Sequence, residues 1–445
     1  MDKGNATDRC DASQPAPKKV KRSSTLSVCA ELKAESLEKI NPENRWIDLQ
    51  VPASELRCSL TFTSGQTFSW KEVGTAVTSS QPPANHAAPS PTAWGNVNAT
   101  QWVGVIGRRA VHVVETEFTT MCRLLTESEE GLNFESFMRE YFQLDISLDA
   151  LYQGWAKADP ASFTPRVMKR MKGIRVLNQP AWDTLLCFMA SSNNNIPRIY
   201  KLMEDMRENF GPLLCSVDGY KFYGYPTLED LARVDKSELR ALGFGYRDNF
   251  YVKTCELLTG DASPLDPITL MPSSQTLTAI RGLGKKKKKK KKKETEKTET
   301  ETETETEKVT EKVMEVEVEE EKKEEGGKKK QGEAFPPVTA SEISQGLMKL
   351  HGVGQKVADC ITLFSMGGCD IVPADTHVFQ MAARWDSSLA SMQMRAKNEG
   401  KAVAFSKQIH QKVAKVFRDK FPGGYAGWAH TVLFLLELPS FKKDT

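Results

Sequence analysis

Residues 285–333 place the strongest limit on how this 445-residue chain can fold. Lys285–Lys293 is an unbroken lysine run, Glu-Thr repeats follow from Glu294 to Glu307, and mixed Glu, Lys and Val continue to about Glu333. Such a segment cannot bury enough apolar surface to offset the entropy of ordering it. Any core must therefore be assembled from the chain on either side. The lysines and glutamates nearly cancel. The segment reads either as an electrostatic tether or as an insertion tolerated in a surface loop, where closure entropy grows slowly with length. The tolerated insertion, spanning 284–334, is the expectation.

The length allows two or three domains. Apolar content of 39% is low for a globular chain, and the deficit is local to the low-complexity stretches. The net charge of +3 is too mild to prove a nucleic-acid partner by itself. The nine cysteines, at 10, 29, 58, 122, 187, 215, 255, 360 and 369, form no Cys-x-x-Cys pair. Neither a zinc site nor any other cofactor is expected, and the irregular set reads as reduced, intracellular thiol. No secretory leader is visible, and no apolar run is long enough to span a membrane. Pro17-Lys18-Lys19-Val20-Lys21-Arg22 is either a nuclear import signal or a chance basic run.

Residues 1–42 read as a disordered leader, with order beginning near Trp46. Leu56–Thr63 is β-rich, Ser64-Gly65-Gln66 is a turn, and residues 79–99 form a long Pro-, Ala- and Ser-rich loop. Strand-like sequence returns at Gln101–Ile106 and Ala110–Glu117, so an antiparallel sheet is expected over 43–165. Helical periodicity then dominates: Phe134–Tyr141, Leu148–Trp155, Pro180–Ala190, a helix opening at Asn195, Leu228–Val234 and Lys236–Leu242. It resumes with Ala340–Leu350, Lys356–Met366, Thr376–Arg384, Lys407–Arg418 and Trp428–Leu438. The fold class is α+β: an N-terminal antiparallel sheet domain with helices, then a helical region over 166–445.

Chemistry concentrates in Leu350-His351-Gly352-Val353-Gly354-Gln355-Lys356. The two glycines join two helices by a tight turn, allowing positive φ and close backbone approach. The second helix presents free N–H groups and its positive dipole end there, a site suited to a phosphate. An ordinary αα-hairpin with a glycine cap has the same pattern. Lys356 falls in the first turn, before Val357, Ala358, Cys360 and Ile361. Those surroundings favour a neutral amine able to form a Schiff base; the alternative is a surface lysine. Nineteen residues on, Asp375 stands where an N-cap belongs, before the apolar run of the next helix. It reads as a cap, as a carboxylate facing the lysine, or as both.

Gly352-Val353-Gly354 with Lys356, then Val372-Pro373-Ala374-Asp375, resembles the helix–hairpin–helix and Gly/Pro-Asp signature of base-excision DNA glycosylases. From about Trp46 to Glu437 the chain is similar to the eukaryotic 8-oxoguanine DNA glycosylase family. The matching blocks include Ser64-Gly65-Gln66-x-Phe68-x-Trp70, Tyr141-Phe142-Gln143-Leu144-Asp145, Ser191–Ile196 with Arg198, Gly243-x-Gly245-Tyr246-Arg247 and Tyr425-Ala426-Gly427-Trp428-Ala429.

The resemblance implies a TBP-like β domain and two all-helical subdomains. It implies a bifunctional glycosylase/lyase acting on damaged duplex DNA. A monomer is expected, and with DNA as partner, residues 17–22 read as the nuclear import signal. Lys356 would attack the sugar C1′ and Asp375 would stabilise the positive sugar. The Gly65 carbonyl would accept the N7 proton that oxidised guanine carries and guanine lacks. Cys360 and Phe434 would sandwich the flipped base. Asn193, Arg198 and Arg247 would contact the orphaned cytosine, Tyr246 would wedge the duplex, and His377 would lie near the lesion's phosphate. Gly352 and Gly354 would approach the backbone. Three positions depart from the family: His430 where it reads the base edge with Gln, His351 for Pro in the hairpin, and Ser69 for Arg in the β domain. The rival readings are a DNA-holding hairpin module without catalysis, and a glycosylase preferring another oxidised purine.

Overall fold

The computed structural model describes residues 45–78, 97–127, 131–259 and 339–438. The expected leader, residues 79–96 of the expected loop and the 284–334 insertion lie outside the described residues.

Five antiparallel strands form one sheet: β1 Ile47–Asp48, β2 Trp70–Thr78, β3 Val97–Ile106, β4 Arg109–Glu115 and β5 Thr120–Leu124, in the order β1-β5-β4-β3-β2. Alternation along β3 divides its side chains between two cores. Trp102 and Ile106 pack with Trp70, Val111, Val113, Phe62 and Phe142 on one face. Val103 and Val105 join the larger core, which is otherwise mostly helical. Residues 97–99, expected in a loop, belong to β3 and pair with β2.

The expected strand at Leu56–Thr63 is a correction. Its middle is a short helix, α1, Cys58–Thr61. The burial of Leu56, Cys58 and Phe62 suited either period in sequence. The helix has no cap of its own, and Glu115 of β4 accepts from the Ser59 N–H at 2.6 Å and its hydroxyl at 3.1 Å. A carboxylate from a distant strand thus completes the helix start.

Helices follow: α2 Phe134–Tyr141, α3 Leu148–Ala158, α4 Pro165–Met171, α5 Ala181–Ala190 and α6 Ile196–Phe210. Asn133, Ser147, Thr164 and Asn195 each cap the helix they precede. Next comes a hairpin, β6 Leu213–Val217 and β7 Tyr220–Tyr223, in a region expected to be purely helical. Its turn is Asp218-Gly219, both at positive φ (48° and 81°), the conformation two-residue hairpins favour. Helices α7 Leu228–Ala232, α8 Lys236–Ala241 and α9 Asp248–Thr259 precede the insertion. After it come α10 Ala340–Leu347, α11 Gln355–Ser365, α12 Thr376–Ala382, α13 Ser387–Asn398, α14 Lys407–Lys420 and α15 Ala426–Glu437. The larger core takes residues from both sides of the insertion, including Tyr251 of α9 and Ile361 of α11. None of the described helices is long and apolar enough to cross a membrane.

Candidate active site

The turn between α10 and α11 is built around Gly352. Its φ is +82°, and a Cβ there would lie 2.3 Å from Cγ of Phe250 on α9. Only glycine meets both demands. The Thr254 hydroxyl of α9 donates to the His351 carbonyl at 3.2 Å, and Asn249 Nδ2 lies 3.1 Å from His351 Nε2. The contact with Asn249 is one that a proline could not make, whereas the carbonyl that Thr254 meets would be present in either residue. Gly354 is the N-cap of α11, exposed, with no side-chain cap and open space where a Cβ would stand. The first N–H groups of α11 therefore keep their hydrogen-bonding capacity for a ligand. Behind the turn, Ser344 of α10 donates to Asp359 at 2.9 Å, locking the two helices together. Burial pushes the Asp359 carboxyl up to about 6.

Lys356 is the second residue of α11 and is half-buried, with Nζ 5.4 Å from the centroid of the Phe188 ring on α5. Cys360, one turn further along, is buried; burial pushes its thiol up to about 12, so it stays neutral. Lys356 lowers that value and Asp375 raises it, so both charges act on one thiol. Asp375 caps α12, as expected: Oδ1 accepts from the N–H groups of His377 (2.9 Å) and Val378 (3.0 Å). With both cap bonds on Oδ1, Oδ2 remains for the site.

His430, in α15, feels the same two charges. Burial is the largest influence and pulls it down to about 4; Asp375 opposes this and Lys356 adds to it. The His430 ring lies 6.0 Å from that of Phe434, and the exposed His377 meets Phe434 edge-on at 6.1 Å. The expected residues Lys356, Cys360, Asp375, His430, Phe434 and His377 thus converge from three helices. Phe188 carried no signal in sequence beyond its apolar helix, because its role comes only from the approach of α11.

The Gly65 turn is anchored separately. Gly65 has φ +81°. Gln66 is buried, its Nε2 donating to the carbonyl of Arg175 (2.8 Å) and its Oε1 accepting from the Leu177 N–H (2.8 Å). Gln179 closes the link: Nε2 donates to the Gln66 carbonyl at 2.7 Å, and its N–H donates to the Phe364 carbonyl of α11 at 2.8 Å. The Gly65 loop and the Lys356 helix are thus held by one glutamine. Arg175 stiffens this strap with bonds to the carbonyls of Glu55 and Gln143 and an ion pair to Glu55 at 3.0 Å.

A second cluster joins the turn after α5 to the start of α9. Asn193 is exposed with φ +47°. Tyr246, 53% exposed, donates to the Ser192 carbonyl at 3.1 Å. Arg198 is exposed and donates to the Gly243 carbonyl at 3.2 Å. Arg247 differs: it is 3% exposed, and its guanidinium donates to the carbonyls of Ser192, Asn193 and Phe244. Here it clamps the turn that carries Asn193. Among the described residues, no three His, Cys, Asp or Glu side chains come together as a metal site.

Comparison with known proteins accords with this arrangement. Residues 48–185 match the 8-oxoguanine DNA glycosylase N-terminal domain. Residues 186–402 match the HhH-GPD superfamily of base excision DNA repair proteins. The N-glycosylase/DNA lyase OGG1 of Arabidopsis thaliana is 28% identical over 402 residues, 89% of this chain and 82% of that protein. The N-glycosylase/DNA lyase of Saccharomyces cerevisiae is 28% identical over 314 residues, 68% of this chain and 66% of the yeast protein. A solved structure of Clostridium acetobutylicum 8-oxoguanine glycosylase/lyase, in complex with dsDNA containing cytosine opposite to 8-oxoG, shares the fold. Its TM-score is 0.53 at 19% identity, covering 88% of this chain and 93% of that one.

The chain belongs to the helix–hairpin–helix superfamily of base excision DNA repair proteins, in the branch that carries the 8-oxoguanine DNA glycosylase N-terminal domain. It is a DNA-binding repair enzyme of the N-glycosylase/DNA lyase type.

Proposed function

We propose that this enzyme flips 8-oxoguanine out of duplex DNA opposite cytosine, excises it and nicks the strand. The observation that carries this reading is the convergence of Lys356, in the first turn of α11, and Asp375, the cap of α12, beside Cys360 and His430, both of which feel the two charges. The Lys356 amine attacks C1′ while the bond to the base breaks, and the base leaves with the bonding electrons and takes up a proton. The amine loses a proton, and ring opening gives an imine to the sugar. Removal of a C2′ proton then expels the 3′ phosphate by β-elimination, and water releases the lysine. Asp375, through Oδ2, offsets the positive charge that builds on the sugar at departure.

The Gly65 carbonyl accepts the N7 proton of the oxidised base, and a site built for that bond rejects guanine, which has no proton to give. Cys360, as a neutral thiol, and Phe434 hold the two faces of the base. Extrusion costs a few kcal/mol, roughly, and this stacking offsets part of it. Asn193 and Arg198 read the orphaned cytosine, Tyr246 fills the space the lesion leaves, and Arg247 exchanges carbonyl partners for the cytosine edge. The open N–H groups at the start of α11, beside Gly352 and Gly354, take a phosphate, with His377 beside the lesion's own. The enzyme acts as a monomer, without metal or cofactor, and residues 17–22 direct it to the nucleus. Its chain order is a leader to residue 42, a β domain over 43–165 and a helical domain over 166–445 interrupted at 284–334.

Single-turnover excision on a duplex with one 8-oxoguanine opposite cytosine tests this. The expected products are free 8-oxoguanine and a nicked strand, with the undamaged duplex intact. Tight binding without release of the base would favour the non-catalytic hairpin module instead.

A further inference from the structure

A cavity of about 120 Å³ opens between β2, α6 and β7. Tyr200, Glu204 and Arg207, at spacings that share one helix face, line it from α6. Phe68 and Ser69 line it just before β2, and Lys221 and Phe222 from β7. Lys356, Cys360, Asp375 and His430 form no part of its wall. Phe68 meets Phe188, the ring beside Lys356, edge-on at 6.0 Å, so packed rings separate the cavity from that lysine.

Arg207 sets the chemistry of this wall. It is 9% exposed, and an arginine so buried is ordinarily paired with a carboxylate. Its Nη1 donates to the Phe68 carbonyl and the Tyr225 hydroxyl, each at 3.1 Å. Among the described residues, Nε and Nη2 have no hydrogen-bond partner and the guanidinium has no ion pair. Asp183 feels the Arg207 charge but accepts from the Gly107 N–H instead. A guanidinium cannot relieve an unpaired charge by losing its proton. Nε–H and Nη2–H lie side by side on one edge, the geometry that grips a carboxylate through two parallel bonds. Both atoms stay accessible, in a residue that walls the cavity.

The other charges leave the wall positive. Glu204 is held by Lys71 at 3.3 Å, so those two cancel. The exposed Lys221 has no ion pair among the described residues and adds its charge to that of Arg207. Ser69 leaves the space open: the arginine usual at this position in the family would reach into it.

We infer that this cavity is a binding site for one small organic carboxylate with a flat apolar body. Arg207 takes the carboxylate on its Nε–Nη2 edge, and Lys221 supplies the second charge. The rings of Phe68, Tyr200 and Phe222 hold the body. An engineered cavity of about 150 Å³ takes up a benzene ring, so a space of this size suits one ring. The site is independent of the excision chemistry.

Calorimetric titration of the full-length enzyme with sodium benzoate, at fixed ionic strength, tests the proposal. One saturable site is expected, with a dissociation constant on the order of 1 mM. Benzamide, neutral and of the same shape, should bind at least about tenfold more weakly, and so should inorganic phosphate, which leaves the rings uncovered. Ser69→Arg fills the space, and Arg207→Lys keeps the charge but loses the two-pronged edge. Each should weaken benzoate by about tenfold or more, with thermal unfolding reporting that the variant is folded. No saturable binding to the wild type up to about 20 mM benzoate would overturn the site. Equal affinity for benzamide or phosphate would overturn the ligand class. Wild-type affinity in a folded Ser69→Arg would place the benzoate elsewhere and overturn the proposal.

Discussion

Asp375 caps α12 and, in the proposed reaction, also steadies the charge on the sugar, two roles that a conservative substitution can separate. Its Oδ1 accepts the two N–H groups that open α12, which is helix capping, while its charge acts on Cys360 and His430. Asparagine caps a helix about as well as aspartate. Asp375→Asn should therefore leave stability within about 0.5 kcal/mol of the wild type. Excision should fall about 10²–10³-fold, the usual scale for losing one preorganised electrostatic contact at a developing charge. Urea unfolding and single-turnover kinetics on the same preparation read both quantities. A variant that unfolds early and excises normally would make Asp375 a cap alone. In sequence the cap was legible from position and the charge role only from pairing with Lys356. The contact with Phe188 had no local mark.

At the scale of elements, the glycine turn is the most constrained piece of backbone in the site. Gly352→Ala adds a Cβ 2.3 Å from Phe250 at a φ of +82°. Overpacking costs about 1–3 kcal/mol, and the left-handed backbone adds about 1–2 kcal/mol. Gly354→Ala meets open space at a φ of −88°, so it should leave the midpoint of unfolding nearly unchanged. Comparing the two by thermal unfolding checks this: equal midpoints would mean that α9 does not pack on the turn as described. The positions of α10, α11 and α12 were readable from periodicity, glycine and the Asp375 cap. The short helix at Cys58–Thr61 was not, because the group that completes its start, Glu115, lies on a strand more than fifty residues away. The β6–β7 hairpin had a readable signal in Asp218-Gly219, masked by the helices on either side.

For the whole molecule, the sheet and the helical body meet at buried polar ties as well as through the larger core. Asp183 of α5 accepts from the Gly107 N–H, in the turn between β3 and β4, at 2.6 Å. Burial pushes its carboxyl up to about 7, against the partial opposition of Gly107 and Arg207. An unfolded aspartate releases its proton near 3.9, roughly. Below that pH the proton is bound in both states and the contribution is fully present; it is lost as pH rises toward about 7. Asp183→Asn keeps an acceptor for Gly107 and has no proton to release. The midpoint of urea unfolding in the wild type should therefore fall between pH 4 and 7 by an amount missing from Asp183→Asn. Parallel profiles would remove Asp183 from the pH response. None of this tie was legible in sequence, where Asp183 is one acidic residue in the first turn of a helix.

The central claim is that Lys356 is the nucleophile, held for attack by α11 and served by Asp375. Borohydride trapping on a duplex containing 8-oxoguanine opposite cytosine tests it most directly. The wild type should give a covalent protein–DNA adduct that maps to Lys356. Lys356→Gln should give none, while still binding the same duplex. An adduct of undiminished yield in Lys356→Gln would place the chemistry on another amine and contradict the account.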